Sequence, residues 1–171
     1  MINVILAFIF AQALGANDLD TPTLNSPVTD LTICAQWHAQ VDPALPSCEV
    51  QVEELDDQEL LQAIECLLML EGRKETASFW GATDPRSSLI SGPCAIEIAA
   101  LYYISYLFTG KWDHALNVAL MDEEGELNTD QSVVIAYRSY RAWFAVVRQV
   151  GLDKARQQQL DPMHDSGVHW Y

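Results

Sequence analysis

Glu97 is the acidic residue of this sequence whose surroundings best suit acid–base catalysis. It lies near the start of an almost wholly apolar segment, Pro93–Thr109. Burial among apolar side chains favours the protonated form of a carboxyl group, which is the form that an acid catalyst needs. If the protein is an enzyme, Glu97 is therefore the first candidate for a catalytic residue. The alternative is structural, because a carboxylate in the first turn of a helix stabilises the unpaired amides and the helix dipole.

The C-terminal tail contains the residue types of a hydrolytic triad, namely His164, Asp165, Ser166 and His169. A triad needs its serine on a rigid turn and its base from another part of the fold, so this crowding argues against one. The two histidines are separated by five positions and do not share a helix face, which matches no helical zinc motif. The chain also lacks a glycine-rich phosphate loop. We therefore expect no metal site and no cofactor.

The charge distribution favours a basic protein partner. The sequence has 24 Asp and Glu against 9 Lys and Arg, for a net charge of −15, and the first 71 residues contain no Lys or Arg. Nucleic acids and anionic lipids bind clustered bases, so we expect neither as a partner. The acids that we expect to steer a basic partner are Glu49, Glu53, Glu54, Asp56, Asp57 and Glu59. The alternative is that these charges only maintain solubility.

The cysteine content suits an oxidising compartment. The four residues are Cys34, Cys48, Cys66 and Cys94, and no C-x-x-C pair occurs. Four cysteines can form two disulfides in three different ways. We favour the scheme that contains Cys34–Cys48, which closes a proline-containing loop. Cys66 and Cys94 then form a second pair between helices. The alternative for Cys66 is a reduced core residue, since free cysteine packs as a small hydrophobe.

The N-terminal residues 1–16 predict a signal peptide. Residues 2–10 are apolar except for Asn3 and are followed by the cleavage-type sequence Ala-Gln-Ala. The run is shorter than the roughly 20 residues that span a bilayer. The alternative is a buried N-terminal strand or helix. Residues 17–54 then form a leader and a Cys/Pro-rich irregular region, and residues 55–171 form a helical domain with a packed C-terminal tail.

The hydrophobic pattern predicts an all-α fold of about five helices, in an antiparallel bundle or an array of stacked helical pairs. Asp56 with Glu59 resembles a capping box, and Gly72, Gly110 and Gly151 are natural helix stops. Strand signals are almost absent. The predicted helices cover residues 56–71, 93–109, 112–121, 128–150 and 152–160.

Two large aromatic residues, Trp170 and Tyr171, end the chain. Such side chains are costly to leave exposed, so we expect both rings to pack against the domain. The polar residues His164, Asp165 and Ser166 then supply hydrogen bonds that order the tail.

The general profile of the chain is small, helical, acidic, exported and without a catalytic motif. In this profile it resembles periplasmic immunity proteins, which neutralise toxins that act on the cell envelope. The resemblance implies a non-enzymatic protein-binding module of the bacterial envelope, in the periplasm or secreted, with no membrane insertion after signal removal. The alternative function is a small envelope hydrolase that acts on a wall or glycan substrate through Glu97.

Overall fold

The computed structural model describes residues 31–46, 50–77, 94–110 and 118–171. The predicted signal peptide lies outside these residues. Within them the chain is mostly helical, with a small two-stranded sheet. The α-helices are α1 (Leu31–His38), α2 (Asp57–Leu68), α3 (Ile96–Thr109), α4 (Asp130–Val150) and α5 (Leu152–Gln157). A 3-10 helix covers Val52–Glu54, and the strands are β1 (Leu120–Asp122) and β2 (Val168–Trp170).

Local sequence signals set the ends of several helices. Asp56 caps α2 through a complete capping box with Glu59, as the sequence predicts. Gly110 follows α3 in the left-handed conformation, with φ of 67°, where a residue without a Cβ is favoured. Thr129 caps α4 by accepting a hydrogen bond from the backbone N–H of Ser132. The four predicted helices that begin near residues 56, 93, 128 and 152 are therefore confirmed, with ends displaced by a few residues.

The apolar helix α3 lies at the centre of the described core. Its sequence is apolar almost all round, and nearly all of its residues are buried. A helix without a polar face can be buried only if other elements cover it on several sides. Accordingly, α3 packs against α2, α4 and α5. None of the helices in the described part of the chain is long and apolar enough to cross a membrane.

The two-stranded sheet corrects the all-α prediction. The predicted helix over residues 112–121 has its last positions in β1, which pairs antiparallel with β2 near the C-terminus. Met121 lies opposite His169 in the register. The pairing partner is far away in sequence, so local periodicity could not indicate it.

The disulfide joins Cys34 on α1 to Cys66 on α2. The predicted pairs Cys34–Cys48 and Cys66–Cys94 are therefore wrong. Packing of α1 on α2 brings the Cα atoms of Cys34 and Cys66 to 5.1 Å, within the range that a disulfide spans. Cys94 is unpaired and half-buried, and Cys48 lies outside the described residues. The preference for a pair that closes a proline-containing loop thus gave the wrong partner, because the tertiary contact between helices decides the pairing.

Candidate functional site

The acidic residues that are expected to meet a partner lie at the start of α2. Glu53 and Glu54 belong to the 3-10 helix, and Asp57 is the first residue of α2. All three side chains are exposed, and no Lys or Arg of the described chain lies within ion-pair distance of them. We call these three residues the acidic edge. Glu49 lies outside the described residues.

Asp56 and Glu59 are neighbours of the acidic edge in sequence and are also exposed, but their carboxylates have a structural role. Asp56 Oδ1 accepts from the backbone N–H of Glu59 at 2.9 Å, and Glu59 Oε2 accepts from the backbone N–H of Asp56 at 2.9 Å. This reciprocal pair fixes the N-terminus of α2. The capping box therefore holds the neighbouring acidic edge on a defined helix end.

Most basic residues of the described chain are already paired with acids of the same chain. Seven Lys and Arg lie within the described ranges, and five of them form ion pairs. These five are Arg73, Lys74, Arg141, Arg148 and Arg156. The paired acids lie after α1, on or next to α2, at the starts of α3 and α4, and on α5, and none of them belongs to the acidic edge. The negative charge of the edge is therefore left to solvent or to a partner.

Two of these arginines bind the C-terminal ends of helices. Arg141 on α4 donates to the carbonyl of Leu68 at 3.0 Å and to Glu71 at 2.7 Å. Arg156 on α5 donates to the carbonyl of Phe108 at 2.7 Å and to that of Leu107 at 3.2 Å. The last carbonyls of a helix lack partners within the helix and carry partial negative charge. Arg141 and Arg156 thus supply hydrogen-bond donors to carbonyl groups at the C-terminal ends of α2 and α3.

Glu97 is buried, with a side chain 4% exposed, at the start of α3. Its Oε2 accepts from the backbone N–H of Gly72 at 2.8 Å, and its Oε1 lies 3.7 Å from Lys74 Nζ. Its backbone carbonyl accepts from the hydroxyl of Tyr137 on α4 at 2.9 Å. Glu97 therefore joins the loop after α2 to the first turn of α3. At the sequence level, a structural role for Glu97 is the alternative to catalysis. The amide that its side chain binds, however, is that of Gly72 in the loop after α2 and not one in the first turn of α3.

The loop after α2 also carries two cations that connect separate elements. Arg73 pairs with Asp42, which follows α1 and is 5% exposed, at 2.9 Å, and with Glu75 at 3.0 Å. Lys74 pairs with Glu97 and also contacts Asp130 in the first turn of α4. Sequence reasoning missed this cluster. The only local signal was a pair of adjacent bases after a long acidic segment, and it does not reveal which acids they meet.

The acidic turn after β1 borders a cleft of about 500 Å³. Asp122, Glu123, Ser132 and Ser166 are among its lining residues. Asp122 Oδ1 accepts from the backbone N–H of Glu126 at 2.8 Å, so this carboxylate stabilises the turn itself. In the described ranges, no group of three or more His, Cys, Asp or Glu residues is arranged to hold a metal ion.

A second cleft, of about 520 Å³, lies between α4 and the segment after α5. Its apolar lining includes Trp143, Val146 and Pro162, and Asp161 is the one carboxylate among its lining residues. Asp161 Oδ1 accepts from the backbone N–H of Met163 at 2.8 Å. Glycoside hydrolysis in its usual form needs two facing carboxylates. The lining of this cleft does not supply such a pair, and Glu97 is not among its residues.

The C-terminal tail is ordered by hydrogen bonds and by one aromatic ring. The Ser166 hydroxyl accepts from the backbone N–H of Val168 at 3.1 Å and donates to its carbonyl at 3.0 Å. The ring of Trp170 meets that of Tyr102 edge-on, with centroids 5.2 Å apart, and its indole N–H donates to the Tyr140 hydroxyl at 3.2 Å. The expected packing is therefore confirmed for Trp170. It is wrong for Tyr171, whose side chain is 40% exposed.

The polar tail residues do not assemble a triad. His164 Nε2 lies 3.3 Å from Asp165 Oδ2, but both side chains are largely exposed, and Ser166 bonds to Val168 instead. His169 is exposed on β2.

Comparisons of the sequence with protein-family models, with curated proteins and with solved structures find no match.

Proposed function

We propose that the protein is an exported, non-enzymatic protein-binding module of the bacterial cell envelope, immunity- or inhibitor-like, which binds a basic protein partner through the acidic edge. The observation that carries this proposal is the contrast between the edge and the other acids. Glu53, Glu54 and Asp57 are exposed and form no ion pair with a described base, whereas five of the seven described bases pair with acids elsewhere. Complementary charge at such a surface increases the rate of encounter and orients the partner.

The scaffold supports a binding role. The acidic edge spans the 3-10 helix and the capped first turn of α2, and α2 is joined to α1 by the Cys34–Cys66 disulfide. We interpret the helices as an antiparallel bundle or a stack of helical pairs, since α3 packs against α2, α4 and α5. A surface on a fixed helix end loses little conformational entropy when a partner binds.

The disulfide and the apolar N-terminal segment both support export to the periplasm or beyond. Mass spectrometry of the mature protein from the envelope should show a first residue between Leu14 and Asn17. Intact Met1 on protein from the cytosol would remove the export proposal.

The test of binding compares two variants that lose the same number of charges. In the edge variant, Glu53→Gln, Glu54→Gln and Asp57→Asn neutralise the acidic edge without changing side-chain size. In the control variant, Glu123→Gln, Glu124→Gln and Glu126→Gln neutralise the acidic turn. Each mature protein is immobilised and exposed to envelope extract at several salt concentrations.

We expect the wild type and the control variant to retain the same basic protein, and the edge variant to lose it. Raising the salt concentration should weaken the retained complex, because exposed charges are screened. If both variants capture the basic protein equally poorly, the effect is one of general charge. If the edge variant captures as much of it as the wild type, the acidic edge does not have the proposed role.

The hydrolase alternative receives no support from the geometry of Glu97. Both carboxylate oxygens face groups of the loop after α2, and the side chain is almost completely buried. A general acid must reach the leaving-group oxygen of a substrate. We therefore base the proposed function on the acidic edge.

A further inference from the structure

The disulfide is buried and is in contact with a methionine. Both Cys34 and Cys66 have no exposed surface. Met69, which follows α2 as its C-terminal cap, places its thioether sulfur 3.9 Å from Cys34 Sγ. Since Cys34 has no S–H in the disulfide, this is a van der Waals contact between sulfur atoms. Met69 therefore lies against the disulfide on one side.

The same methionine faces solvent on its other side. Its exposed fraction is 46%, whereas Met163 is 7% exposed and Met121 is intermediate. Thioether oxidation requires access by the oxidant, so Met69 is the most accessible methionine among the described residues. It combines exposure with direct contact to a buried redox group.

We propose that Met69 is an oxidation site, and that its sulfoxide exposes the Cys34–Cys66 disulfide to thiol reductants. The oxidant is a peroxide. A lone pair of the thioether sulfur attacks one peroxide oxygen, the O–O bond breaks and an S–O bond forms. With hydrogen peroxide the sulfur loses two electrons, and the second oxygen leaves as hydroxide, which takes the proton of the transferred oxygen and becomes water.

Oxidation changes the fit of this side chain. A thioether packs well against another sulfur and against apolar groups, but a sulfoxide oxygen is a strong hydrogen-bond acceptor. Placing that oxygen against the buried disulfide would leave it without a donor, which costs free energy. Because the side chain is nearly half-exposed, it can turn outward and hydrate the oxygen. The cover over Cys34 Sγ is then lost.

The consequence is faster thiol–disulfide exchange at Cys34 Sγ. A reductant thiolate attacks Cys34 Sγ, a new S–S bond forms to Cys34, and the old bond breaks with its electron pair leaving on Cys66. A second thiolate of a dithiol reductant then resolves the mixed disulfide and leaves two cysteine thiols. Access limits the rate of such an exchange in a folded protein.

The test measures the rate at which dithiothreitol reduces the disulfide in the full folded chain, before and after treatment with hydrogen peroxide. Peptide mass spectrometry should locate the added oxygen on Met69 ahead of Met163. We expect the oxidised protein to be reduced roughly tenfold faster, which corresponds to about 1.4 kcal/mol removed from the free energy of the opening that exposes the bond. Met69→Gln, which places a polar group at the same position, should be reduced faster without peroxide.

Two controls separate this proposal from general loosening of the fold. Met69→Leu keeps an apolar cover and cannot form a sulfoxide, so its reduction rate should stay at the wild-type value with and without peroxide. Arg156→Gln weakens the fold at the end of α3 and should not expose the disulfide selectively. The proposal is overturned if oxidised wild type is reduced no faster than untreated protein. It is also overturned if Arg156→Gln accelerates reduction as much as Met69→Gln at equal loss of stability.

Discussion

The carboxylate of Glu97 accepts a hydrogen bond from the backbone N–H of Gly72 at 2.8 Å, so that a side chain of α3 holds the segment that follows α2. Gly72 has φ of 85°, a conformation that glycine adopts without strain. The sequence placed a helix stop at Gly72 and an acid at the start of the next helix, but it gave no sign that the two residues meet.

This contact predicts different effects for two substitutions of Glu97. Glu97→Ala removes the carboxylate that accepts from the Gly72 N–H, a partly buried hydrogen bond to a charged group, and should lower the free energy of unfolding by about 1–3 kcal/mol. Glu97→Gln keeps an acceptor and loses only the pair with Lys74, whose side chain is 58% exposed, so its cost should be clearly smaller than that of Glu97→Ala. Urea unfolding measures both values. Equal losses for the two variants would show that the charge matters more than the hydrogen bond.

The end of α3 should depend on Arg156. Its guanidinium donates to two carbonyls that have no partner within the helix, and Arg156→Gln should lower the free energy of unfolding by about 1–3 kcal/mol. Lys154→Gln is a matched control on the same helix, because Lys154 is exposed and makes no ion pair with another described residue. The measurement is the decrease in Tm of each variant relative to the wild type, from thermal unfolding at one pH. A similar decrease in Tm for both would contradict a specific role for Arg156.

The two C-terminal aromatic residues should differ in their contribution to stability. Trp170→Ala removes the contact with Tyr102 and the hydrogen bond to Tyr140, and should lower the free energy of unfolding by about 3 kcal/mol, the lower end of the range for buried aromatic residues. Tyr171→Ala should have a small effect because that ring is 40% exposed. Denaturant unfolding of both variants tests the difference. If Tyr171→Ala is the more harmful change, the side chains do not pack as described.

Cys94 should make the protein less stable at high pH. Burial raises the pKa of its thiol from the ordinary value of 9.0 to about 11. Between these values the unfolded chain releases the thiol proton and the folded chain keeps it, so unfolding becomes easier as the pH rises. The contribution is complete below pH 9 and is lost as the pH approaches 11.

Urea unfolding of wild type and Cys94→Ala from pH 8 to pH 10.5 isolates this effect. Other groups titrate in the same range, but they are common to both proteins. The stability difference between the two proteins should shrink as the pH rises, and a constant difference would show that the thiol does not titrate differently in the two states.

Local sequence signals predicted the helices better than their contacts. The capping box of Asp56 and Glu59 involves residues three positions apart, and the glycine that stops α3 acts on its own helix. By contrast, Cys34 and Cys66 are 32 positions apart, and β1 meets β2 from the far end of the chain. These contacts depend on how whole helices pack, which neither periodicity nor spacing encodes.

At the candidate site, too, the sequence indicated some features and could not indicate others. The density of charged residues in the sequence indicated that the acidic edge is exposed, although Val52 and Leu55 beside these acids pack against the core. The pairs of Arg73 with Asp42 and of Arg141 with Glu71 could not be predicted, because each pair joins residues that are distant in sequence. Without those partners, the sequence could not distinguish acids that are already paired from acids that remain for a second protein.

The hydrogen bonds of Ser166 also concern aggregation. Among the described residues, strand β2 pairs with β1 alone, and an edge strand with unpaired backbone groups can template the strand of another chain. The Ser166 hydroxyl occupies both the N–H and the carbonyl of Val168, so these two groups are not available for intermolecular pairing. A single hydroxyl thereby protects the start of this strand against the edge-to-edge growth from which fibrils form.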